Sequence, residues 1–405
     1  MLQLDLIQTL AFGGVALFFG YGIRRAVPIL ARYNIPAPVI GGLLVALTLL
    51  AMRNFGELPV KFDTTLQSPL MIAFFTTIGF GASVSLLRSG GPQVALFLAL
   101  ATVFAIGQNV LGALVAIAFG LNPLFGVLAG SVTLTGGPAT GLAFAPLFEQ
   151  AGVPAAGSVA VAAAMAGIVL GGIVGGPVGT LLIDRFRLRG AAERAEPAVV
   201  SIDINVASQA ADVGAEDSAE TFAVLKNVVL ILVAMWAGSW VSLGFANLGV
   251  TLPAYIGAML VAALIRNLDD ATGWLGLSTR IIDVIGAVAL SLFLVLALMT
   301  LKLWELAALA IPLIVIVLLQ VALVVIAARW LVYRFMGRDY DAAVMSGGFI
   351  GFMLGTTANA MAVMSTLTER HGPAPRAFLV APMVGAFFID FTNAIIITGT
   401  LNLLK

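Results

Sequence analysis

Long hydrophobic stretches alternate with short polar turns along most of this chain. Each stretch approaches the roughly 20 apolar residues that a helix needs to cross a bilayer. The pattern predicts ten membrane-spanning helices, at 6–23, 36–52, 68–87, 92–120, 155–183, 221–248, 252–265, 281–301, 304–335 and 374–403. A single long polar stretch, 184–220, divides them into two sets of five.

Two interruptions of this pattern are rich in glycine and threonine. They cover about 122–150 and about 339–369, and they follow the fourth and ninth predicted crossings. Each contains too much Gly, Pro, Thr and Asn for an ordinary helix that faces lipid. Polar, irregular backbone at membrane depth is tolerated only inside protein or beside a water-filled cavity. We therefore predict a re-entrant hairpin at each interruption.

Short sequence similarities recur in the same order in the two halves of the chain. Residues 35–46 resemble residues 252–262, and residues 149–154 resemble residues 369–373. Because five crossings is an odd number, a second copy of the unit must enter the membrane from the opposite side, so the repeats are inverted. Chance similarity among helices rich in Gly, Ala and Leu is the alternative explanation.

The predicted fold is therefore an all-α membrane protein with about ten transmembrane helices in two inverted-topology five-helix repeats. The N-terminal repeat covers 1–183, a linker covers 184–220, and the C-terminal repeat covers 221–405. Each repeat contains one re-entrant hairpin. Matched, broken hydrophobic segments in two halves are the best indication in a sequence of a transporter's binding site.

The basic residues predict the orientation. If both termini lie outside, 16 of the 20 Lys and Arg residues fall on the cytoplasmic side, which satisfies the positive-inside rule. The four on the outer side are Arg53, Lys61, Lys302 and Lys405. This orientation places the 184–220 linker in the cytoplasm. The two hairpins then enter from opposite sides and can meet near the midplane.

Composition agrees with a membrane location and excludes several functions. Hydrophobic residues make up 61% of the 405 residues and charged residues only 10%, against about 25% in soluble domains. The formal net charge of zero gives no indication of nucleic-acid binding. The chain has no cysteine and one histidine, His371, and it lacks the common enzyme motifs. We expect no enzyme activity and no cofactor.

The two hairpins supply the predicted substrate-binding residues. Glycines let a ligand approach the backbone, and helix N-termini favour anions. Threonine and asparagine side chains add neutral donors and acceptors, so the hairpins suit a carboxylate substrate together with a coordinated cation. The predicted residues are Thr133, Thr135, Gly136, Gly137, Thr140, Gly355, Thr356, Thr357 and Asn359. Close helix packing is the alternative explanation for the small residues.

A few polar side chains inside the predicted helices are candidates for holding a coupling ion. Asp390 and Asn393 are three positions apart and share a helix face, and oxygen ligands suit a hard cation such as Na⁺. Asn109 is a third candidate. A structural hydrogen-bonding role is the alternative for Asp390 and for Asn109. Gln108 and Gln320 either line a cavity or join helices by hydrogen bonds.

The chain resembles the bacterial sodium/glutamate symporters over nearly its whole length. The most specific segments are PLMIAFFTTIG (69–79), SLFL (291–294), LKLWELA (301–307), YDAAV (340–344), TERHGP (368–373) and PMVGAFFID (382–390). The resemblance implies paired re-entrant hairpins in a bacterial inner membrane, and uptake of L-glutamate driven by sodium through alternating access. Related citrate-type carriers imply a homodimer in which a transport part moves against a fixed scaffold.

This sequence differs from the family pattern at both hairpins. The family's Gly-Gly-x-Gly reads Gly-Gly-Pro-Ala here, with Pro138 and Ala139 in the last two places. In the second hairpin, Ala358 stands where the family often has proline. A sodium-coupled symporter of another amino acid or a small di- or tricarboxylate is the first alternative function, and an ion channel is the second.

Overall fold

The computed structural model describes residues 3–54, 60–188, 213–247, 252–306 and 309–404. Within these ranges the protein is helical, with one isolated β-bridge between Gln3 and Lys61. The helices in chain order are α1 (Leu6–Ala26), α2 (Pro28–Arg32), α3 (Ala37–Asn54), α4 (Gln67–Gly81), α5 (Val84–Ser89), α6 (Gly91–Ala118), α7 (Pro123–Val127), α8 (Gly137–Gln150), α9 (Ala156–Phe186), α10 (Val213–Asn247), α11 (Ala254–Thr272), α12 (Thr279–Met299), α13 (Ala310–Ala327), α14 (Tyr333–Phe335), α15 (Tyr340–Met353), α16 (Thr357–His371), α17 (Pro375–Met383) and α18 (Ile389–Leu404).

Six helical segments in the described ranges are long and apolar enough to cross a membrane. They are Leu6–Ala26, Gly91–Ala118, Ala156–Phe186, Thr221–Asn247, Thr279–Met299 and Ala310–Phe335. The other four predicted crossings correspond to shorter or more polar helices. For example, α4 has 15 residues and therefore spans about 22 Å at 1.5 Å per residue, less than the roughly 30 Å hydrocarbon core. The fold is that of a multi-pass membrane protein, while the number of crossings stays a prediction.

The segment of the predicted crossing at 68–87 is not one continuous helix, because a capped break divides it. The helix α4 ends at Gly81, and α5 starts after Ser83. Ser83 is the N-cap of α5, where its hydroxyl accepts a hydrogen bond from the backbone N–H of Leu86 at 3.1 Å. Asn267 of α11 donates to the freed carbonyl of Ala82 at 2.9 Å. These bonds satisfy backbone groups that a continuous helix would have paired internally.

Two other predicted crossings also differ from the structure. The crossing at 304–335 begins only with α13 and contains a π-helical segment, Ala328–Val332. The crossing at 374–403 is divided by a second π-helical segment, Val384–Phe388, which follows Pro382. Proline lacks an N–H donor, which disturbs the regular helical ladder at that point.

The ends of the predicted 184–220 linker are helical. The helix α9 continues to Phe186, and α10 already begins at Val213. The residues from Val213 onward include alanine and glutamate, which favour helix even where the sequence is polar. Residues 189–212 lie outside the described ranges, and so does most of the predicted linker.

Contacts divide the helices into two groups. The six-helix group consists of α1, α3, α4, α10, α11 and α12, which pack chiefly on one another. The hairpin group consists of α6 to α9 and α13 to α18, and it contains both glycine-rich interruptions. The short helix α5 contacts α6 in one group and α11 in the other. The two groups meet along a boundary where α4 and α12 contact members of the hairpin group.

Glycines bring helices of the six-helix group together in both halves of the chain. A methyl group added to Gly20 of α1 would overlap Ala37 of α3, and one added to Gly238 of α10 would overlap Ala258 of α11. Small residues at such contacts let helix backbones approach closely, which is how membrane helices associate. The packing explanation given above for the small residues holds at Gly41, where an added methyl group would overlap Ala16.

Candidate functional site

The first interruption consists of a helix, an irregular turn and a second helix. After α7 a π-helical segment, Leu128–Val132, contains Gly130 with non-helical backbone angles (φ −101°, ψ −128°). The backbone N–H of Ser131 donates to Oδ1 of Asn109 at 3.0 Å. Nδ2 of Asn393 donates to the carbonyl of Ser131 at 2.9 Å. Amide side chains from α6 and α18 therefore satisfy the backbone groups that the irregular turn leaves free.

The second interruption has the same form. The helix α15 ends at Met353 and α16 begins at Thr357. Thr356 is the N-cap of α16 and its hydroxyl accepts a hydrogen bond from the backbone N–H of Asn359 at 3.3 Å. The hydroxyl of Thr357 donates to the carbonyl of Gly385 at 2.6 Å. Each interruption thus provides a helix, a break and a helix, which is the arrangement that a re-entrant hairpin needs.

The two breaks lie next to each other in the folded chain. A methyl group added at Gly137 would lie 3.7 Å from Cγ2 of Thr356. Gln108 connects the two breaks. Its Oε1 accepts a hydrogen bond from the hydroxyl of Thr135 at 2.6 Å, and its Nε2 donates to the carbonyl of Met353 at 3.0 Å. The breaks are therefore held together by one side chain of α6.

Gln108 and Gln320 join helices and do not line the cavity. Both side chains are fully buried. Nε2 of Gln320 donates to the backbone carbonyl of Gln108 at 2.7 Å. Of the two interpretations left open by the sequence, hydrogen bonding between helices is the one that the structure shows.

A cavity of about 350 Å³ lies where the two breaks face the six-helix group. Its volume is within the usual range for small-molecule sites. The hairpin group contributes the segments from Thr135 to Ala139 and from Gly355 to Thr357, together with Phe352 and Asp390. The six-helix group contributes Tyr21, Arg24, Ala37, Phe74, Ser291 and Leu294, among others. The cavity is therefore formed between the two groups and not within either one.

Six of the nine predicted substrate-binding residues line this cavity. They are Thr135, Gly136, Gly137, Gly355, Thr356 and Thr357. Gly137 has φ +68°, a left-handed conformation that favours glycine, and it begins α8. Pro138 and Ala139, which differ from the family's Gly-Gly-x-Gly pattern, also line the cavity. Ala358, the difference in the second interruption, is not among the lining residues. The departure of the first interruption from the family pattern therefore changes the cavity wall.

The other three predicted substrate-binding residues lie behind the wall. The hydroxyl of Thr133 donates to the carbonyl of Leu128 at 2.8 Å, within its own hairpin. Thr140 packs against Gly136, where an added methyl group would lie 2.6 Å from its Cβ. Nδ2 of Asn359 donates to the carbonyl of Ile168 in α9 at 3.0 Å. All three are buried behind the two helix breaks.

The three predicted ion ligands are divided between two places. Asp390 lines the cavity, whereas Asn109 and Asn393 meet at Ser131 behind it. Oδ1 of Asn393 and Oγ of Ser131 are buried and have no hydrogen-bond partner among the described residues. Unpaired buried oxygens are costly, so their presence indicates a place for a cation or a water molecule. Oδ1 of Asn109, by contrast, already accepts the Ser131 N–H.

Sequence reasoning missed the contribution of the six-helix group to the cavity. Tyr21 and Arg24 come from the last turns of α1, and Ser291 comes from the middle of α12. The sequence analysis used Arg24 only as one of the basic residues that predict the orientation of the chain in the membrane. One signal was available: Ser291 belongs to the SLFL segment that carries the family resemblance. The sequence gives no indication that Arg24, rather than the neighbouring Arg25, lines the cavity.

The class of the protein follows from two helix groups that meet at a cavity, where helices are broken. Discontinuous helices that present their ends to a central site are typical of secondary transporters. Comparison with known proteins then gives the family. A family model described as sodium/glutamate symporter matches residues 2–373. The chain belongs to the sodium/glutamate symporter family.

Individual relatives agree over the full length. The chain is 40% identical over 398 residues to the sodium/glutamate symporter of Escherichia coli (strain K12), covering 98% of this chain and 97% of that protein. The sodium/glutamate symporter of Shigella flexneri gives the same values. That of Haemophilus influenzae (strain ATCC 51907 / DSM 11121 / KW20 / Rd) is 39% identical over 388 residues, covering 96% and 95% of the two chains.

Proposed function

We propose that this protein is a secondary active transporter that couples the uptake of L-glutamate to sodium by alternating access. The observation that carries the proposal is the cavity where the two helix breaks meet, in a chain of the sodium/glutamate symporter family. The breaks place the N-terminal ends of α8 and α16 beside the cavity, and such ends attract carboxylates. The wall that binds the substrate consists of Thr135, Gly136, Gly137, Gly355, Thr356 and Thr357.

The sodium ion would use the oxygen atoms near the cavity. Asp390 provides the only carboxylate among the described residues that line it. Oδ1 of Asn393, one helical turn further along α18, and Oγ of Ser131 provide free oxygens at a separate place behind it, where a second cation or a water molecule would fit. Asn109 would then act by holding the Ser131 backbone in place. This set of ligands requires neither cysteine nor histidine, in agreement with the composition.

Alternating access follows from the division into two groups. The hairpin group would move with its substrate against the six-helix group, and the cavity between them would open to one side at a time. With the orientation inferred from the basic residues, Arg24 and Ala37 lie at cytoplasmic ends of their helices. The cavity would therefore open toward the cytoplasm. We propose inverted repeats and a homodimer built on the six-helix groups, in line with the resemblance to citrate-type carriers.

The central experiment is uptake of labelled L-glutamate into proteoliposomes that contain the purified protein. We expect accumulation with an inward sodium gradient and none when potassium or choline replaces sodium outside. Uptake that ignores sodium would contradict the coupling. Competition by a panel of amino acids and di- and tricarboxylates tests the substrate, because a better competitor than glutamate would identify a different cargo.

The role of Asp390 is tested by Asp390→Asn. We expect a large rise in the sodium concentration needed for half-maximal uptake, and loss of the thermal stabilisation that sodium gives the purified protein. Asp283→Asn is the matched control, because Asp283 is an exposed aspartate of α12 that does not line the cavity. An unchanged sodium response in Asp390→Asn would assign Asp390 a structural role.

The orientation is tested with single cysteines in this cysteine-free chain. Thr64, in the loop before α4, and Trp274, in the loop after α11, are both exposed. A membrane-impermeant thiol reagent should label Thr64→Cys in intact cells, and Trp274→Cys only after the membrane is broken. The reverse pattern would place the termini in the cytoplasm.

A further inference from the structure

We propose that Arg24 pairs with the side-chain carboxylate of the substrate and so makes the cavity selective for an acidic amino acid. The inference rests on the proposed function and adds a specificity-determining residue to it. The residue lies outside both hairpins, on the six-helix group. Its geometry, its lack of a partner and its charge all support this role.

Arg24, and not its neighbour Arg25, lines the cavity. Successive residues of an α-helix are about 100° apart, whereas residues three apart lie on the same face. Tyr21 and Arg24 are three apart, and both line the cavity with the hairpin breaks. Arg24 is half-buried, whereas Arg25 is exposed and does not line it.

Among the described residues no hydrogen bond or ion pair engages the Arg24 guanidinium. The salt bridges there involve other residues. Arginine presents a planar set of donors that matches a carboxylate in two parallel hydrogen bonds. A half-buried, unpaired arginine at a cavity wall therefore suits a carboxylate ligand.

The charges of the cavity fit the same ligand. Arg24 and Asp390 are the only charged side chains among its described lining residues. With one sodium ion beside Asp390, the site carries one net positive charge. L-glutamate carries one net negative charge, while L-glutamine, which has nearly the same shape, carries none. The helix ends at the two breaks can receive the α-carboxylate, which leaves the side-chain carboxylate for Arg24.

Arg24 belongs to the six-helix group, whereas the breaks belong to the hairpin group. If the hairpin group carries the substrate, Arg24 contacts it only while this cavity is formed. Removing the arginine should therefore weaken binding from one side of the membrane and leave the other side nearly unchanged. A residue of the hairpin group would affect both sides.

The experiment measures glutamate transport in intact cells and in inverted membrane vesicles, which present opposite faces. The variants are Arg24→Gln, Arg24→Lys and the control Arg25→Gln. For Arg24→Gln we expect the half-saturating glutamate concentration to rise about 10- to 100-fold on one face only, as for loss of a charged hydrogen bond. The preference for glutamate over glutamine, taken from inhibition constants on that face, should fall at least about tenfold.

Arg24→Lys keeps the charge and should restore part of the preference, and Arg25→Gln should stay within about twofold of wild type. Equal weakening on both faces, or a parallel loss for glutamate and glutamine, would mean a structural role and would overturn the proposal. An unchanged preference in Arg24→Gln would overturn it as well. Wild-type protein without sodium-driven glutamate uptake would instead refute the proposed function itself. If Arg24→Gln does not fold, the comparison of Arg24→Lys with wild type decides, because an intact preference with lysine would contradict a bidentate contact.

Discussion

The left-handed backbone at Gly137 offers a direct test of the first hairpin break. In Gly137→Ala the added methyl group finds room, since the nearest atom, Cγ2 of Thr356, would lie 3.7 Å away. The cost therefore comes from the backbone, because φ is +68° and an L-residue in this region costs about 1–2 kcal/mol. The hairpin can relieve that strain only by rotating the start of α8 away from its present position.

Gly120 provides the matched control. Its φ is +70°, an added methyl group would meet nothing within 4 Å, and it lies in the turn between α6 and α7. Gly137→Ala and Gly120→Ala should therefore lower the stability of the purified protein by similar amounts, about 1–2 kcal/mol, in thermal unfolding. Only Gly137→Ala should also weaken glutamate binding, by up to about 5- to 30-fold if the strain is relieved at the site.

The assay is the half-saturating glutamate concentration for sodium-driven uptake, measured alongside unfolding of each variant with and without glutamate. If both variants lose stability equally and both keep wild-type half-saturation, the break at Gly137 does not form the substrate site. If Gly137→Ala is as stable as wild type, the left-handed backbone itself is contradicted.

Two further predictions concern packing and hydrogen bonding behind the cavity. Gly126→Val should prevent recovery of folded protein in size-exclusion chromatography, because any Cβ at Gly126 overlaps the Gly112 carbonyl. The control Gly107→Val, on an open face of α6, should be recovered like wild type. Equal recovery of the two variants would contradict the contact between Gly126 and Gly112. Thr135→Val leaves Oε1 of Gln108 without its donor and should lower stability by about 1–3 kcal/mol in thermal unfolding. Thr76→Val, which removes only a bond to the carbonyl of Ile72 in its own helix, should cost less, and the reverse order would refute the linking role of Gln108.

Much of the site could be predicted from the sequence because its segments differ in composition from the helices around them. Polar and flexible residues are rare in this chain, so the segments that contain Thr135 to Gly137 and Gly355 to Thr357 stand out against apolar helices. Membrane-spanning segments cannot leave backbone groups unpaired in lipid, which makes such breaks informative. Family membership followed from the same sequence and was confirmed by the comparisons.

The local sequence does not show which side chains line the cavity and which bond to residues behind it. Thr133 and Thr135 are two positions apart in the same break, yet only Thr135 lines the cavity, because Thr133 bonds back to Leu128. Asp390 and Asn393 share a helix but point to different neighbours. Small rotations of an irregular backbone decide such outcomes, and no periodicity describes them.

The sequence by itself determined the membrane class, the helical content, the two glycine-rich breaks and the family, because each depends on composition or on contiguous residues. Only the tertiary structure decided that the breaks lie together and that α1 and α12 complete their cavity. It also decided that Arg24, rather than Arg25, lines this cavity. These are contacts between segments far apart in the chain, and they depend on how two helix groups pack, which is set by all of their surfaces at once.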